Sequence, residues 1–125
     1  MPIHVTTDPG RRRVEITYVG AVTFDDVQSV GAILSDSHMP GGRAHLLADF
    51  TRCTDWPLEL FEGIGWASLR ATFKYLDGAA FVGLNRFPEQ ARMVDALFRA
   101  RDIPFCLADD RVEAETFLDR LAGAP

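Results

Sequence analysis

Cysteine is scarce in this chain: Cys53 and Cys106 are the only two, far apart and without a CxxC or any metal-like spacing. No disulfide framework can be read from such a pair, so reduced thiols and a cytoplasmic location are the expectation. No window approaches the roughly 18 uninterrupted apolar residues of a membrane span. The N-terminal run MPIHVTTDPG lacks the charged stretch and apolar core of a signal peptide, and no integral membrane association is expected. The three histidines show neither HExxH nor another ligand spacing, which speaks against a metal. Gly63-Ile64-Gly65-Trp66-Ala67-Ser68 follows no strand and lacks the third glycine of a nucleotide-binding loop, and no cofactor is implied. Basic charge is also short, with 13 Lys and Arg against 18 Asp and Glu and a net charge of -5, which argues against a general nucleic-acid surface. Arg11-Arg12-Arg13 is the only basic run and follows a turn signal, so it reads as a solvated hairpin flank.

What remains is an ordinary globular composition, 47% hydrophobic and 25% charged over 125 residues. That length suits a single domain, residues 1–125, able to bury roughly two thirds of the surface of its unfolded chain. No linker, internal repeat or low-complexity segment interrupts it.

Ile3 and Val5, then Val14, Ile16 and Tyr18, alternate with polar residues on either side of Asp8-Pro9-Gly10, which predicts an antiparallel hairpin. Thr23 and Asp26 form a capping-box pattern ahead of Val27, Val30, Ile33 and Leu34, predicting a helix from about Phe24 to Ser37. Ala44 to Phe50 reads as a buried strand that passes Asp49 into a polar loop ending at Pro57. From Leu58 to Leu76, the apolar residues Leu58, Phe61, Leu69, Phe73 and Leu76 stand at near-helical spacing and predict a second helix. Ala79 to Leu84 suits a central parallel strand, Pro88 opens a third helix, and Pro104 to Ala108 is a last strand. Asp110 and Glu113 repeat the capping-box pattern before a final helix that ends at Gly123. The order is ββαβαβαβα: an α/β fold with a mostly parallel sheet, an N-terminal antiparallel hairpin strand and about four helices.

The segment from Ala91-Arg92-Met93 to Phe105-Cys106-Leu107, followed by the acidic run from Asp109 to Leu118, resembles the C-terminal pattern of SpoIIAA-like (STAS/SEC14-type) domains. Gly20-Ala21-Val22-Thr23 and Leu46-Leu47-Ala48-Asp49-Phe50 match in order, so the resemblance spans nearly the whole chain. It implies a sheet of four or five strands flanked by helices, in a superfamily that includes anti-sigma-factor antagonists and lipid-carrying relatives. In the antagonists a phosphorylatable Ser lies in an Asp-Ser-Ser-Gly-like motif just past the strand that Asp49 closes here. This chain departs from that motif, offering hydroxyls at Thr51 and Thr54 but no Ser-Gly.

Ligands of open α/β sheets gather at the carboxyl ends of strands, which directs attention to Ala44–Pro57. Asp49 could orient a ligand or accept a partner's hydrogen bond, or it could cap local amides. Thr51 and Thr54 could carry a phosphate, although Asp55 adds a like charge beside Thr54. Cys53, set in a polar loop beside Arg52, is the one plausible nucleophile; Cys106 sits in an apolar strand and is expected to be inert. Trp56, Phe61, Trp66, Phe73 and Tyr75 could be core, a dimer face or the wall of an apolar pocket. The first expectation is a non-enzymatic binding or regulatory module acting through the stretch after Asp49 and the second helix, on a protein partner or as a homodimer. The alternative is a carrier or sensor of a small apolar or lipid-like ligand. An enzyme using Cys53 or Asp49 ranks last, since no paired carboxylates, triad or phosphate loop supports it.

Overall fold

The computed structural model describes residues 3–37, 39–57 and 72–123. β1 (Ile3–Asp8) and β2 (Arg13–Ala21) form the expected antiparallel hairpin, with Val5 opposite Ile16 and Thr7 opposite Val14. Between them Pro9–Arg11 makes one 3-10 turn, capped by the Asp8 carboxylate, which accepts from the Arg11 amide at 3.3 Å. α1 (Phe24–Asp36) begins with the reciprocal capping box: the Asp26 amide donates to Thr23 Oγ1 and the Thr23 amide to Asp26 Oδ2. Its apolar stripe of Val27, Val30 and Leu34 is buried. There follow β3 (Ala44–Asp55), β4 (Leu76–Val82), α2 (Pro88–Ala100), β5 (Phe105–Ala108) and α3 (Arg111–Gly123). The five strands lie in the order β1-β2-β3-β4-β5, parallel from β2 onward.

Three expectations need correction. The strand expected over Ala44–Phe50 runs on to Asp55, so the polar loop after Asp49 is strand. Bulges explain the misreading: Thr17 pairs with Asp49 and Val19 with Arg52, and Gly20 pairs with Cys53 and Ala21 with Asp55, so β3 carries extra residues at two places. Phe50, Cys53 and Trp56 are buried with two polar residues between each, a spacing of three where an unbulged strand would show two. Second, the helix expected over Leu58–Leu76 does not reach its end, because Phe73–Tyr75 form a 3-10 turn and Leu76 pairs with Ala44 in the sheet. The rest of that helix, Phe61 and Trp66 included, falls on residues 58–71, outside the described residues; those described contain three α-helices. Third, Arg13 is no solvated flank: only 2% of its side chain is exposed, and Nη2 lies 2.9 Å from Asp119 Oδ1 on α3.

Alternation along the strands separates the two faces of the sheet. Leu46, Ala48 and Phe50 face the larger core, which α1 and α2 close with Val30, Leu34, Val94 and Phe98. Leu47, Ala80, Val82 and Ala108 face a smaller core closed by Ala114 and Leu118 of α3. α3 approaches β4 closely at Gly78, where a Cβ would stand 2.7 Å from Leu121 Cδ1 and 3.1 Å from His45 Cδ2. His45 is buried there, with Nε2 3.2 Å from Asp77 Oδ1. Burial pushes its pKa down, Asp77 opposes the shift, and Arg12 and Arg13 add to it.

A histidine whose folded pKa lies below its ordinary value, about 6.5, stabilises the fold above that value and loses the contribution as pH falls through the folded pKa. The urea midpoint of the wild-type chain is therefore expected to drop between pH 7.5 and 5.5, and that of His45→Gln to change less. Equal slopes in the two proteins would exclude His45 as the source.

Candidate functional site

The carboxyl ends of β2 to β5 meet at one edge of the molecule, and β3 reaches furthest. β4 pairs with it only as far as Val82 opposite Asp49, whereas β2 accompanies it to Asp55. Beyond Asp49 the β4 side of the strand therefore lacks its ladder partner, and those backbone groups need another. Arg86, in the turn after β4, supplies one: its Nη1 donates to the Phe50 carbonyl at 2.9 Å and the Thr51 carbonyl at 3.0 Å. Gly83 makes room for that turn. Its φ of 78° is left-handed, and a Cβ there would meet Thr51 Cγ2 at 3.3 Å.

Asp49 is buried and its two oxygens are divided. Oδ1 accepts from the Thr51 amide at 2.9 Å and the Thr51 hydroxyl at 2.7 Å; Oδ2 accepts from Arg111 Nη1 at 3.3 Å. Arg111 also pairs with Glu15 on β2, so one guanidinium bridges two strands from the first turn of α3. Burial alone would raise the Asp49 pKa. The two Thr51 hydrogen bonds and Arg111 overcome it and hold the carboxyl below its usual value. Asp49 thus caps a local amide, one of the two roles its sequence position allowed.

The other expected residues separate into two groups. Thr51, Thr54 and Asp55 are exposed along the outer part of β3, and Arg52, which was not among the expected residues, is exposed with them. Cys53 and Trp56 are buried. Trp56 packs edge-on against Phe50, with ring centroids 5.1 Å apart, and Phe50 stacks on Tyr18 at 4.8 Å. Gln90 of α2 donates to the Trp56 carbonyl at 2.7 Å. Beside this end of the strand is an open groove of about 520 Å³, lined by Val22, Thr23, Phe24, Asp55, Trp56 and Gln90 among others. A second, apolar cavity of about 50 Å³ lies inside the core, lined by Tyr18, Phe50, Trp56, Phe73 and Phe98 among others. It is far below the roughly 300–1,000 Å³ of sites for drug-sized molecules. Phe61 and Trp66 lie outside the described residues.

Cys53 does not sit in a polar loop. Its thiol donates to the Asp55 carbonyl at 3.3 Å. Burial pushes the pKa up, against the opposing pull of that hydrogen bond and of Arg86. Among the described residues no group of three or more His, Cys, Asp or Glu is placed to hold a metal ion. Arg86 and Arg111 were not singled out from sequence. An arginine in the first turn of a helix opposes the helix dipole, a local signal that the side chain is used elsewhere.

Two outcomes follow. Asp49→Asn removes the charge from hydrogen bonds that are each worth about 1.5–3 kcal/mol when charge-assisted, so a loss of about 1–3 kcal/mol is expected in urea unfolding at pH 7. Because the Asp49 pKa is depressed on folding, this loss should shrink as pH falls through the folded pKa. A loss that shows no decrease on acidification below about pH 4, where the unfolded carboxyl takes up its proton, would contradict the assignment. Second, iodoacetamide at pH 7.5 should modify native Cys53 on the order of a hundredfold more slowly than the unfolded chain, since a buried thiol with a raised pKa is a poor nucleophile. Labelling faster than in the unfolded chain would make Cys53 a reactive thiol after all.

No protein-family model matches the sequence, and none of the curated proteins matches it. A structural match exists nonetheless. The structure of the anti-sigma factor antagonist SpoIIAA in its unphosphorylated form superposes with a TM-score of 0.60 and 16% identity, over 98% of this chain and 99% of that one. Such a likeness bears on architecture: the five-stranded mixed sheet, its N-terminal antiparallel hairpin and its flanking helices have the SpoIIAA-like (STAS-like) fold.

Proposed function

We propose that this chain is a non-enzymatic regulatory module that binds protein partners through the outer part of β3, and that it works as a homodimer. The observation that carries the first part is the projection of β3 beyond β4. Thr51, Arg52, Thr54 and Asp55 stand exposed on a strand that is anchored beneath by Phe50, Cys53 and Trp56. A polar row on a rigid support is a recognition surface that needs little ordering on binding, which limits the entropic cost of association. Asp55 and Trp56 also line the adjoining groove, giving a partner side chain a place to insert. The sequence adds Phe61 and Trp66 of the expected second helix as binding residues; they lie outside the described residues, and the proposed surface does not rest on them.

Two further points favour recognition over chemistry. Asp49 already carries three donors, and Cys53 is buried with a raised pKa. The small size of the apolar cavity weighs for a protein partner over a carried lipid-like ligand. In the SpoIIAA-like fold, an interaction at this edge is also what the resemblance to antagonist domains leads one to expect. Localisation in the cytoplasm remains part of the proposal; no described helix is long and apolar enough to cross a membrane.

The test is a comparison of native affinity capture between the wild type and the double variant Arg52→Glu, Asp55→Arg. Both residues are exposed, so the variant should keep the wild-type urea midpoint to within about 0.5 kcal/mol. Proteins captured by the wild type should be depleted at least tenfold with the variant. Capture of nothing, or of the same proteins in equal amounts by both, would overturn the assignment of this surface.

A further inference from the structure

β5 is the last strand of the sheet, and among the described residues only β4 pairs with it. The Ala79 amide donates to the Pro104 carbonyl at 3.1 Å and the Gly83 amide to the Ala108 carbonyl at 3.0 Å. In a parallel ladder alternate residues turn both backbone groups to the same neighbour. Pro104, Cys106 and Ala108 therefore face β4, and the amides and carbonyls of Phe105 and Leu107 point outward. Four backbone groups with no strand partner among the described residues, on a strand with no charge, no bulge and half-buried apolar side chains, form a template for another strand. The opposite edge differs, because the middle four residues of β1 are exposed.

Side chains extend the template on one face. Phe105 and Leu107 lie on the α2 side, where an open groove of about 650 Å³ runs beside β5, floored by Phe98, Ile103, Phe105 and Leu107. Its rim carries both signs of charge: Arg99 donates to Asp95 one turn earlier on α2 at 2.6 Å and its guanidinium also stands over the Phe105 ring at 5.6 Å, while Asp102 lies beyond them on the same rim. A rim of mixed sign can complement itself across a two-fold axis, where an Arg of one copy meets an Asp of the other.

We infer that β5 is the homodimer interface, pairing antiparallel with β5 of a second copy about a two-fold axis at Cys106 and joining the two sheets into one of ten strands. The register follows from the outward groups. Phe105 of each copy exchanges both hydrogen bonds with Leu107 of the other, four bonds in all, and the apolar side chains of each β5 fill the other's groove. The two Cys106 residues then form the intervening pair without hydrogen bonds, with Cα atoms about 4.5 Å apart. That spacing lies within the range of about 4.4–6.8 Å that a disulfide spans. The inference rests on the homodimer part of the reading above and is independent of the β3 surface.

The experiment combines sedimentation equilibrium with cross-linking. In reducing buffer at tens of micromolar, the wild type and Cys53→Ala should both sediment as dimers. Diamide, which takes two electrons and two protons from a pair of thiols, should then join the copies of both proteins through Cys106. Cys106→Ser should remain dimeric and form no covalent dimer. Cys106→Arg sets like charges directly opposite each other at the axis and should weaken the dimer roughly tenfold or more, with circular dichroism confirming the fold. A monomer in sedimentation would overturn both this interface and the homodimer reading. A dimer that gives no Cys106 link, or that Cys106→Arg leaves intact, would overturn the interface alone.

Discussion

The sheet depends on β3 being buried on both faces from Ala44 to Phe50 and then continuing where one neighbour stops. A central parallel strand must find a partner for every backbone group, because no water reaches it. β2 and β4 provide those partners up to Asp49. Past that point the strand survives through substitutes: β2 on one side, and on the other the guanidinium of Arg86 across two consecutive carbonyls. The bulges that let β2 follow it also turn Phe50, Cys53 and Trp56 inward and leave the residues between them in water.

Asp49 marks the transition and illustrates how a buried charge is tolerated. Removing a carboxylate from water is costly unless donors replace its hydration. Thr51 supplies two and Arg111 a third, so the group stays ionised. Because Arg111 belongs to α3 and also reaches Glu15, the same arrangement ties the helix to two strands. At the other end of the helix Asp119 receives Arg11 and Arg13. α3 has only Ala114 and Leu118 fully buried, so its position is set by ion pairs at both ends as well as by the close approach at Gly78. The other two described helices dock by broad apolar stripes.

Most of the architecture was legible from local signals. The hairpin followed from alternation about Asp8-Pro9-Gly10, and α1 from a capping box that the structure reproduces atom for atom. Pro88 and the Asp110 cap placed the starts of α2 and α3 correctly; at Asp110 the Glu113 amide donates to the carboxylate at 2.8 Å. The outer part of β3 was misread for a physical reason. Bulges change the burial period of a strand from two to about three, and a sequence of apolar residues separated by polar pairs then looks like a loop. Leu76 was assigned to a helix because its spacing from Phe73 is helical, yet its pairing with Ala44 lies in the sheet.

For the site, the sequence by itself determined that a buried strand passes through Asp49 and that hydroxyls, a thiol and a carboxylate follow it in the chain, since these depend on residue type and short-range pattern. Only the tertiary structure decided which of them face water, because that is set by how far β4 and β2 accompany β3. Burial of Cys53 and Trp56, the reach of Arg86 to a strand 35 residues earlier and that of Arg111 across 62 residues to Asp49 are long-range facts with no local signature. The same holds for the free edge of β5: its apolar strand could be read in the chain, but its place at the end of the sheet arises only when all five strands are assembled.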